Sequence, residues 1–553
     1  MTIKHELEVA VQTAIENAQK VGALPPFDLP EITVERPRDP ANGEYATPMP
    51  LKLARLARKA PMQIAEAITT HLPPLDFLAA AEIAPPGFIN FRLNAGYLQG
   101  LVKQLVKEGK TYGSFQTGVG KKAQIECVSA NPTGPIHIGR TRGGVMGDTL
   151  ARAMRAAGYD VTLEYYYNDA GRQVTKLGES TQIRYLQLLG DAAELGDDHY
   201  QGEYIIDIAR EIEAKYGEAW RDEPVQSFAD YAKARISQNQ KESLRRVNIV
   251  FDEYYREQSL YESGRVWEAL ETLQERGFVY EKDGAQWFKT TEFGDDKDRV
   301  LVKKTGEPTY RMPDIAYHYH KKQRGFDIVI DIFGPDHHAT APQVLMGVEA
   351  LGYDPSFVRT VLHQIVNLYR EGELVKMSTR AGEFVTLDEL TDAVGADPIR
   401  YFMISRSGNS PIDFDMDLAV ERSDKNPVYY IQNAHVRCAG IFRKWAAAGR
   451  DPKAGVDADL SLLSHENELA FLRKAVELSD VLELMVESSE PHHIAFYAYE
   501  LAAAFHPAYE TCRVLHSEVP EPLQLARLSF YRGAKMLFAR ALDLMGMSAP
   551  DVM

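Results

Sequence analysis

Asn131-Pro132-Thr133-Gly134-Pro135-Ile136-His137-Ile138-Gly139-Arg140 is the stretch on which the fold turns. The apolar run from Ile125 to Val128 before it reads as a short strand, and a Pro/Gly turn follows. From Gly143 through Val145, Leu150, Ala153 and Met154 the apolar spacing is helical. A strand that passes through small residues into a helix start can bind phosphate. The helix offers unpaired N–H groups and a positive dipole end, and the small residues allow close approach. Far downstream, Lys376-Met377-Ser378-Thr379-Arg380 forms a second, cationic segment. Either stretch alone occurs by chance; their order and separation make the pair informative.

Working outward, short β-branched runs alternate with helical stretches from about 112 to 405, the pattern of a parallel α/β sheet. Strands are expected at 124–128, 161–166, 327–332 and 361–366, with a charged, helix-rich insertion near 175–250. Gly334-Pro335-Asp336-His337-His338 follows one of these strands, at the carboxyl end where open α/β sheets bind ligands. A metal-ligand role for Asp336, His337 and His338 is disfavoured, because adjacent histidines diverge in regular structure and no helical His-x3-His pair supports them. Beyond 410 the strand signal fades into amphipathic helices, among them 469–485 and 523–545, and a helical bundle is expected. Before 105, a stripe of Ile3, Leu7, Ala10, Val11, Ala14 and Ala18 predicts a helix, and 32–35 and 88–93 alternate as strands. Lys52, Arg55, Arg58 and Lys59 lie at helical spacing between them, a face suited to phosphate or simply to solvent. Three domains result: 1–105 (α+β), 106–410 (α/β) and 411–553 (all-α).

Composition is that of a globular protein, 45% apolar and 25% charged over 553 residues. A net charge of −17 argues against nucleic acid as a partner only if the charge is evenly spread, since a local basic face suffices. Cys127, Cys438 and Cys512 are far apart and form no CxxC pair, so no structural zinc is expected, and reduced thiols point to the cytoplasm. The charged N-terminus lacks the apolar core of a secretory signal. No apolar run approaches the ~18 residues of a membrane span.

Glu126-Cys-Val-Ser129-Ala-Asn131-Pro-Thr-Gly-Pro-Ile-His137 resembles the arginyl-tRNA synthetase version of the first signature of class I aminoacyl-tRNA synthetases. Phe251-Asp-Glu-Tyr-Tyr-Arg-Glu257, Asp283-Gly-Ala-Gln-Trp-Phe288, Phe293-Gly-Asp-Asp-Lys-Asp-Arg-Val300 and Thr309-Tyr-Arg-Met-Pro-Asp314-Ile-Ala-Tyr-His318 are similar to later segments of that family. So are Asp413-Phe-Asp-Met-Asp-Leu418 and Asn426-Pro-Val-Tyr-Tyr-Ile-Gln432. The resemblance implies a class I Rossmann-type catalytic domain, an N-terminal α+β domain that contacts the tRNA elbow and a C-terminal helical anticodon-binding domain. It implies an arginine–tRNA ligase with ATP and Mg²⁺ as substrate complex, arginine and tRNA(Arg) as partners, and no membrane; a monomer is expected. Activation of arginine is implied to require bound tRNA.

The same resemblance assigns residues. His137, Arg140, Lys376, Ser378 and Arg380 would neutralise the phosphates, while Pro135, His137, Gly139, Gly334, Asp336, His337 and Met377 would hold ATP. Glu126, Ser129 and Asn131 would hold the amino-acid end of arginine. Glu257 and Asp314, with Tyr310 one turn before Asp314, would take the guanidinium, which wants paired carboxylate acceptors. Phe88 and Asn90 could meet an unpaired tRNA base, and Arg527, Tyr531 and Lys535 share one helical face that mixes stacking with charge. Two positions depart from the family pattern: Arg140 stands for the second histidine of the first signature, and Thr379 for the second lysine of the later one. They leave room for a rival reading, a synthetase-like tRNA-binding protein that has lost catalysis.

Overall fold

A computed structural model describes residues 2–169, 172–335, 340–375 and 385–553. The apolar stripe near the N-terminus forms the helix Ile3–Lys20, capped by Thr2, whose side chain accepts the His5 N–H. It packs on the helix Pro61–Thr70, which lies against a three-stranded antiparallel sheet of β1 (Tyr45–Thr47), β2 (Leu78–Ala84) and β3 (Phe88–Leu93), in the order β1-β3-β2. The expected strand at 32–35 is only an isolated bridge, Glu35 to Ala46.

The central sheet takes β4 (Lys122–Glu126), β5 (Asp160–Tyr167) and β6 (Glu253–Arg256). After an antiparallel excursion, β7 (Val279–Lys282), β8 (Ala285–Phe288) and β9 (Arg299–Val302), the chain returns with β10 (Ile328–Phe333) and β11 (Val358–Leu362). All neighbours pair parallel in the order β11-β10-β4-β5-β6. Chain order therefore reverses between β4 and β10, and the crevice beyond their carboxyl ends is where such sheets bind ligands. The strand expected at 361–366 is in fact split. β11 ends at Leu362, and β12 (Val366–Arg370) joins a separate small sheet with β13 (Glu373–Leu374) and β14 (Ile412–Asp415). Between the two, His363 still donates its backbone N–H to Phe333, whereas Gln364 donates to Gly408.

The helix Ile138–Ala156 lies against β4 and β10 because its inner face is glycine. A Cβ on Gly147 would stand 2.4 Å from the Cys127 Sγ, and one on Gly144 2.8 Å from a Val128 methyl. Fifteen residues of this helix are buried, too many for the amphipathic stripe of a surface helix, as suits a helix covered on several sides. The insertion supplies the helices Arg172–Leu188, Glu203–Tyr216 and Val225–Arg246, with a core of their own.

The C-terminal third is helical, with Pro427–Ala447, Glu466–Val476, Leu478–Ser488, His492–Thr511 and Glu521–Leu544 as its principal members. Fully buried Arg400 ties it to the catalytic unit, donating to Asp148, to the Val247 carbonyl and to the Met545 carbonyl. The N-terminal domain docks on the same bundle through Arg36, which donates to Asp480 at 2.9 Å, and Arg473, paired with Glu44 at 3.0 Å. No described helix is long and apolar enough to cross a membrane.

Candidate active site

The turn after β4 is held in a conformation that costs energy. Val128 and Ser129 have φ of 68° and 40°, in the left-handed region that a β-branched residue avoids. The Ser129 hydroxyl donates to Glu126 at 2.9 Å, which folds the turn over the end of the strand. The insertion braces it from outside: Gln240, nearly fully buried, donates to the carbonyls of Asn131 (3.0 Å) and Gly134 (2.7 Å), and Tyr204 donates to that of Thr133 (2.7 Å). Asn131 itself donates to Gln173.

His137 is the N-cap of the long helix. Its Nδ1 accepts the Gly139 N–H at 3.2 Å, which leaves Nε2 as the protonated nitrogen. Burial, with Arg140 alongside, pushes its pKa down to about 4, so the ring is a neutral donor near pH 7. The Ile138 N–H is taken by the Val385 carbonyl, and the Leu387 N–H by that of Ile136. These first helix donors are thus less open to phosphate than the sequence implies. The same contacts bring Val385, Thr386 and Leu387 against the first signature. Lys376, Met377, Ser378 and Arg380, with Thr379, lie outside the described residues, as do Asp336, His337 and His338; Gly334 directly follows β10. A cavity of about 210 Å³ opens beside the turn, lined by Pro135, Tyr204, Arg235, Asn239 and Thr386. Arg140 stays partly exposed, reaching the Val128 carbonyl at 3.4 Å.

Across the crevice, the helix Arg311–Gln323 and the helix starting at Glu257 bring Asp314 and Glu257 together. Burial, then the Asp314 charge, pushes the Glu257 pKa up to about 7. Burial pushes Asp314 up to about 6, with His318 and Lys321 opposing the rise and Glu126 adding to it. No lysine or arginine among the described residues pairs with either. The Tyr166 hydroxyl beside them is buried with no well-formed hydrogen bond, and burial and both carboxyls raise its pKa. Two part-buried carboxyls, a poorly bonded hydroxyl and no paired cation make a pocket shaped by charge for a cationic group. Tyr310 caps the helix and stands 74% exposed at the rim.

The support beneath this pocket escaped sequence reasoning. Lys321, fully buried, donates to Glu126 at 2.8 Å and to Asp331 at 2.7 Å. His318 bridges the Asp314 carbonyl (2.8 Å) and Asp331 (2.7 Å). Glu164 on β5 accepts from Gln124, Tyr317 and Arg324. Asp169 accepts from Arg256 and from the Gln258 N–H, anchoring the start of the Glu257 helix. Asp314, Tyr317, His318 and Lys321 recur at three- and four-residue steps on one helix face, a spacing that also describes plain core packing.

Burial corrects three of the expected tRNA-contact residues, Arg527, Tyr531 and Asn90. Tyr531 is 1% exposed and donates to the carbonyls of Ala508 and Cys512. Arg527 is 9% exposed, donating to Glu468 at 2.8 Å. Lys535 pairs with Asp551 at 2.7 Å. The i, i+4, i+8 face turns into the bundle, because its aromatic member and hydrogen-bonded arginine fill the core. Asn90 is likewise buried in β3, so its amide cannot meet a base; Phe88 is half-buried.

Residues 101–397 match the family of class I tRNA synthetases (R), catalytic domain. Residues 5–93 match the arginyl tRNA synthetase N-terminal domain, and 431–553 the DALR anticodon-binding domain. An arginine–tRNA ligase of Geobacillus kaustophilus is 42% identical over 100% of this chain and 99% of its own. One from Listeria welshimeri is 43% identical over 100% of both chains. The solved arginyl-tRNA synthetase of Thermus thermophilus shares the fold over 100% of both chains, with a TM-score of 0.76 at 22% identity.

Proposed function

The chain belongs to the arginyl-tRNA synthetase family, and from that premise we propose how its residues divide the work of an arginine–tRNA ligase. The pair Glu257 and Asp314 carries the reading, since a guanidinium answers two neighbouring carboxyls that no lysine or arginine among the described residues ion-pairs. Glu126, held by Ser129 and Lys321, and Asn131 then face the amino-acid end. The arginine carboxylate attacks the α-phosphorus of ATP, forming arginyl-adenylate and releasing pyrophosphate; a ribose hydroxyl at the tRNA 3′ end next displaces AMP. A carboxylate is already a nucleophile, so positioning and charge neutralisation dominate. Neutral His137 donates to the phosphates, and Arg140 supplies charge where the family has a second histidine. Mg²⁺ accompanies ATP as part of the substrate. Lys376, Met377, Ser378 and Arg380 of the second signature, with Gly139, Gly334, Asp336 and His337, complete the nucleotide site.

The division into 1–105 for the tRNA elbow, 106–410 for catalysis and 411–553 for the anticodon is supported by the family matches at 5–93, 101–397 and 431–553. A cytoplasmic monomer is the simplest working form. Arginine-dependent ATP–pyrophosphate exchange with and without tRNA tests the reading. Exchange is expected only when tRNA and arginine are both present; its absence under every condition would support the non-catalytic rival.

The pocket also predicts a proton count. Arginine stabilises the ionised carboxyls, so it pulls down two pKa values that start at about 7 and about 6. Binding near pH 6.5 is therefore expected to release about one proton, and arginine affinity to weaken as pH falls from about 8 to 6. Calorimetric titration in buffers of different ionisation enthalpy measures that release. Binding heats that do not depend on the buffer would contradict it.

A further inference from the structure

Away from the crevice, the turn between the helices Leu478–Ser488 and His492–Thr511 gathers three metal-ligating side chains: Glu490, His492 and His493. The local sequence Ser489-Glu490-Pro491-His492-His493 explains the gathering. Ser489 takes the left-handed conformation (φ 58°) that ends one helix, and Pro491, with its φ fixed near −70°, starts the next. Reversal in so few residues folds Glu490 back beside the first turn of the new helix.

One offered ligand atom from each residue lies within 4.8 Å of the others. Glu490 Oε2 stands 3.5 Å from His493 Nε2 and 3.9 Å from His492 Nδ1, too far for good hydrogen bonds. Ligands at ~2.0–2.2 Å from a tetrahedral ion would be ~3.3–3.6 Å apart. Neighbouring histidines normally diverge, but here one would use its near nitrogen and the other its far one, and their rings lie 4.1 Å apart. The His492 Nδ1 is buried without a hydrogen-bond partner, on a residue only 7% exposed. A buried polar atom so placed calls for a missing partner.

We infer that Glu490, His492 and His493 form a three-ligand site for a divalent transition-metal ion of the zinc class, with a fourth position left for water. The expectation of no metal rested on the cysteines and on Asp336–His338, and this trio uses neither. Two histidines and a carboxylate suit zinc, and the other late divalent ions bind imidazole as well. The site sits on a junction. Ser407 of the catalytic unit donates to the second oxygen of Glu490 at 3.1 Å, and its carbonyl accepts from Arg142 of the signature helix at 3.0 Å. Arg359 on β11 donates to the Val486 carbonyl at 2.9 Å. A bound ion would thus fix the Glu490 carboxylate that meets Ser407 of the catalytic unit. This inference stands independently of the arginylation chemistry.

The test is calorimetric titration of the full chain, stripped by a chelator, with Zn²⁺, alongside Glu490→Gln and His493→Ala. Both changed residues are partly exposed, so the variants should fold. The wild type is expected to bind one more ion than either variant, or to bind it at least about a hundredfold tighter, since even outer-shell partners of a metal cost 10–100-fold. Its melting temperature should climb with Zn²⁺ while the variants' stays flat. His493→Cys, which keeps a ligand, should retain the ion and separates ligation from folding. A wild type that takes up no Zn²⁺, or variants that bind with unchanged number and affinity, would overturn the assignment.

Discussion

Asp314→Ala is expected to lower kcat/KM for arginine by about 10²- to 10⁴-fold while leaving the KM for ATP within about twofold. The first figure follows from the ~3–5 kcal/mol lost when one partner of a desolvated charge pair is removed, at 1.36 kcal/mol per decade. The split between substrates follows from placement. Asp314 lies in the first turn of the helix Arg311–Gln323 and faces Glu257, whereas His137 and the phosphate-binding turn belong to β4 and the helix after it. Folding should not suffer. Burial pushes both carboxyls up in the folded protein, so deleting one relieves a repulsion, and the variant should melt no lower than the wild type. Removing Asp314 also takes away part of what raises Glu257, so the fall in arginine affinity on acidification should move to lower pH. The measurement is arginine-dependent exchange as a function of arginine concentration, with a melting curve for the same sample. Near-normal aminoacylation at low arginine would sink the assignment of this pocket, and an equal loss for ATP would mean that the site had collapsed.

The residues of this site were not equally legible. The strand, turn and helix around His137 could be read from local order alone, because a turn of proline and glycine between two apolar periodicities has few alternatives. Glu257 and Asp314 could not. Without the family they are two acids among the 79 acidic residues, and only the pairing of β5 with β6 and the packing of a distant helix bring them face to face. The supporting shell was harder still. Lys321 lies in His318-Tyr319-His320-Lys321-Lys322, a polar helix end by appearance, yet this lysine is fully buried and the next is not. Helical spacing shows which residues share a face but not which way the face turns. For that reason Arg527 and Tyr531, expected to meet tRNA, proved to be core. The break at His363 was missed because valine and leucine continue on both sides of it, and only the switch of hydrogen bonding from Phe333 to Gly408 ends the strand.

That hidden lysine carries the second large effect. Lys321→Met is expected to destabilise the protein by about 3–5 kcal/mol in urea denaturation at pH 7.5, because it strands the Glu126 and Asp331 carboxylates with no cation in a dry interior. Burial alone would push the Lys321 ammonium down, but Asp331 and Glu126 hold its pKa above the usual value. Burial alone would raise Asp331, but Lys321 and His318 hold it well below the carboxylate range. The depressed carboxyl contributes stability that is present above its unfolded pKa of ~3.9 and is lost as pH falls through its folded value. The raised ammonium contributes stability that is present below ~10.4 and is lost as pH rises through its folded value. In the wild type this network should therefore add nearly constant stability from about pH 5 to 9. In the methionine variant the stranded Asp331 carboxyl prefers a proton, and its pKa rises above the unfolded one. The stability gap to the wild type should then narrow as the pH is lowered from about 8 to 5. The double variant Lys321→Met, Asp331→Asn should recover part of the loss at pH 7.5, since it removes one stranded charge and keeps the shape of the side chain. A gap that stays the same at every pH, with no recovery in the double variant, would mean that Lys321 acts through its packing alone and that Glu126 is positioned for arginine by something else.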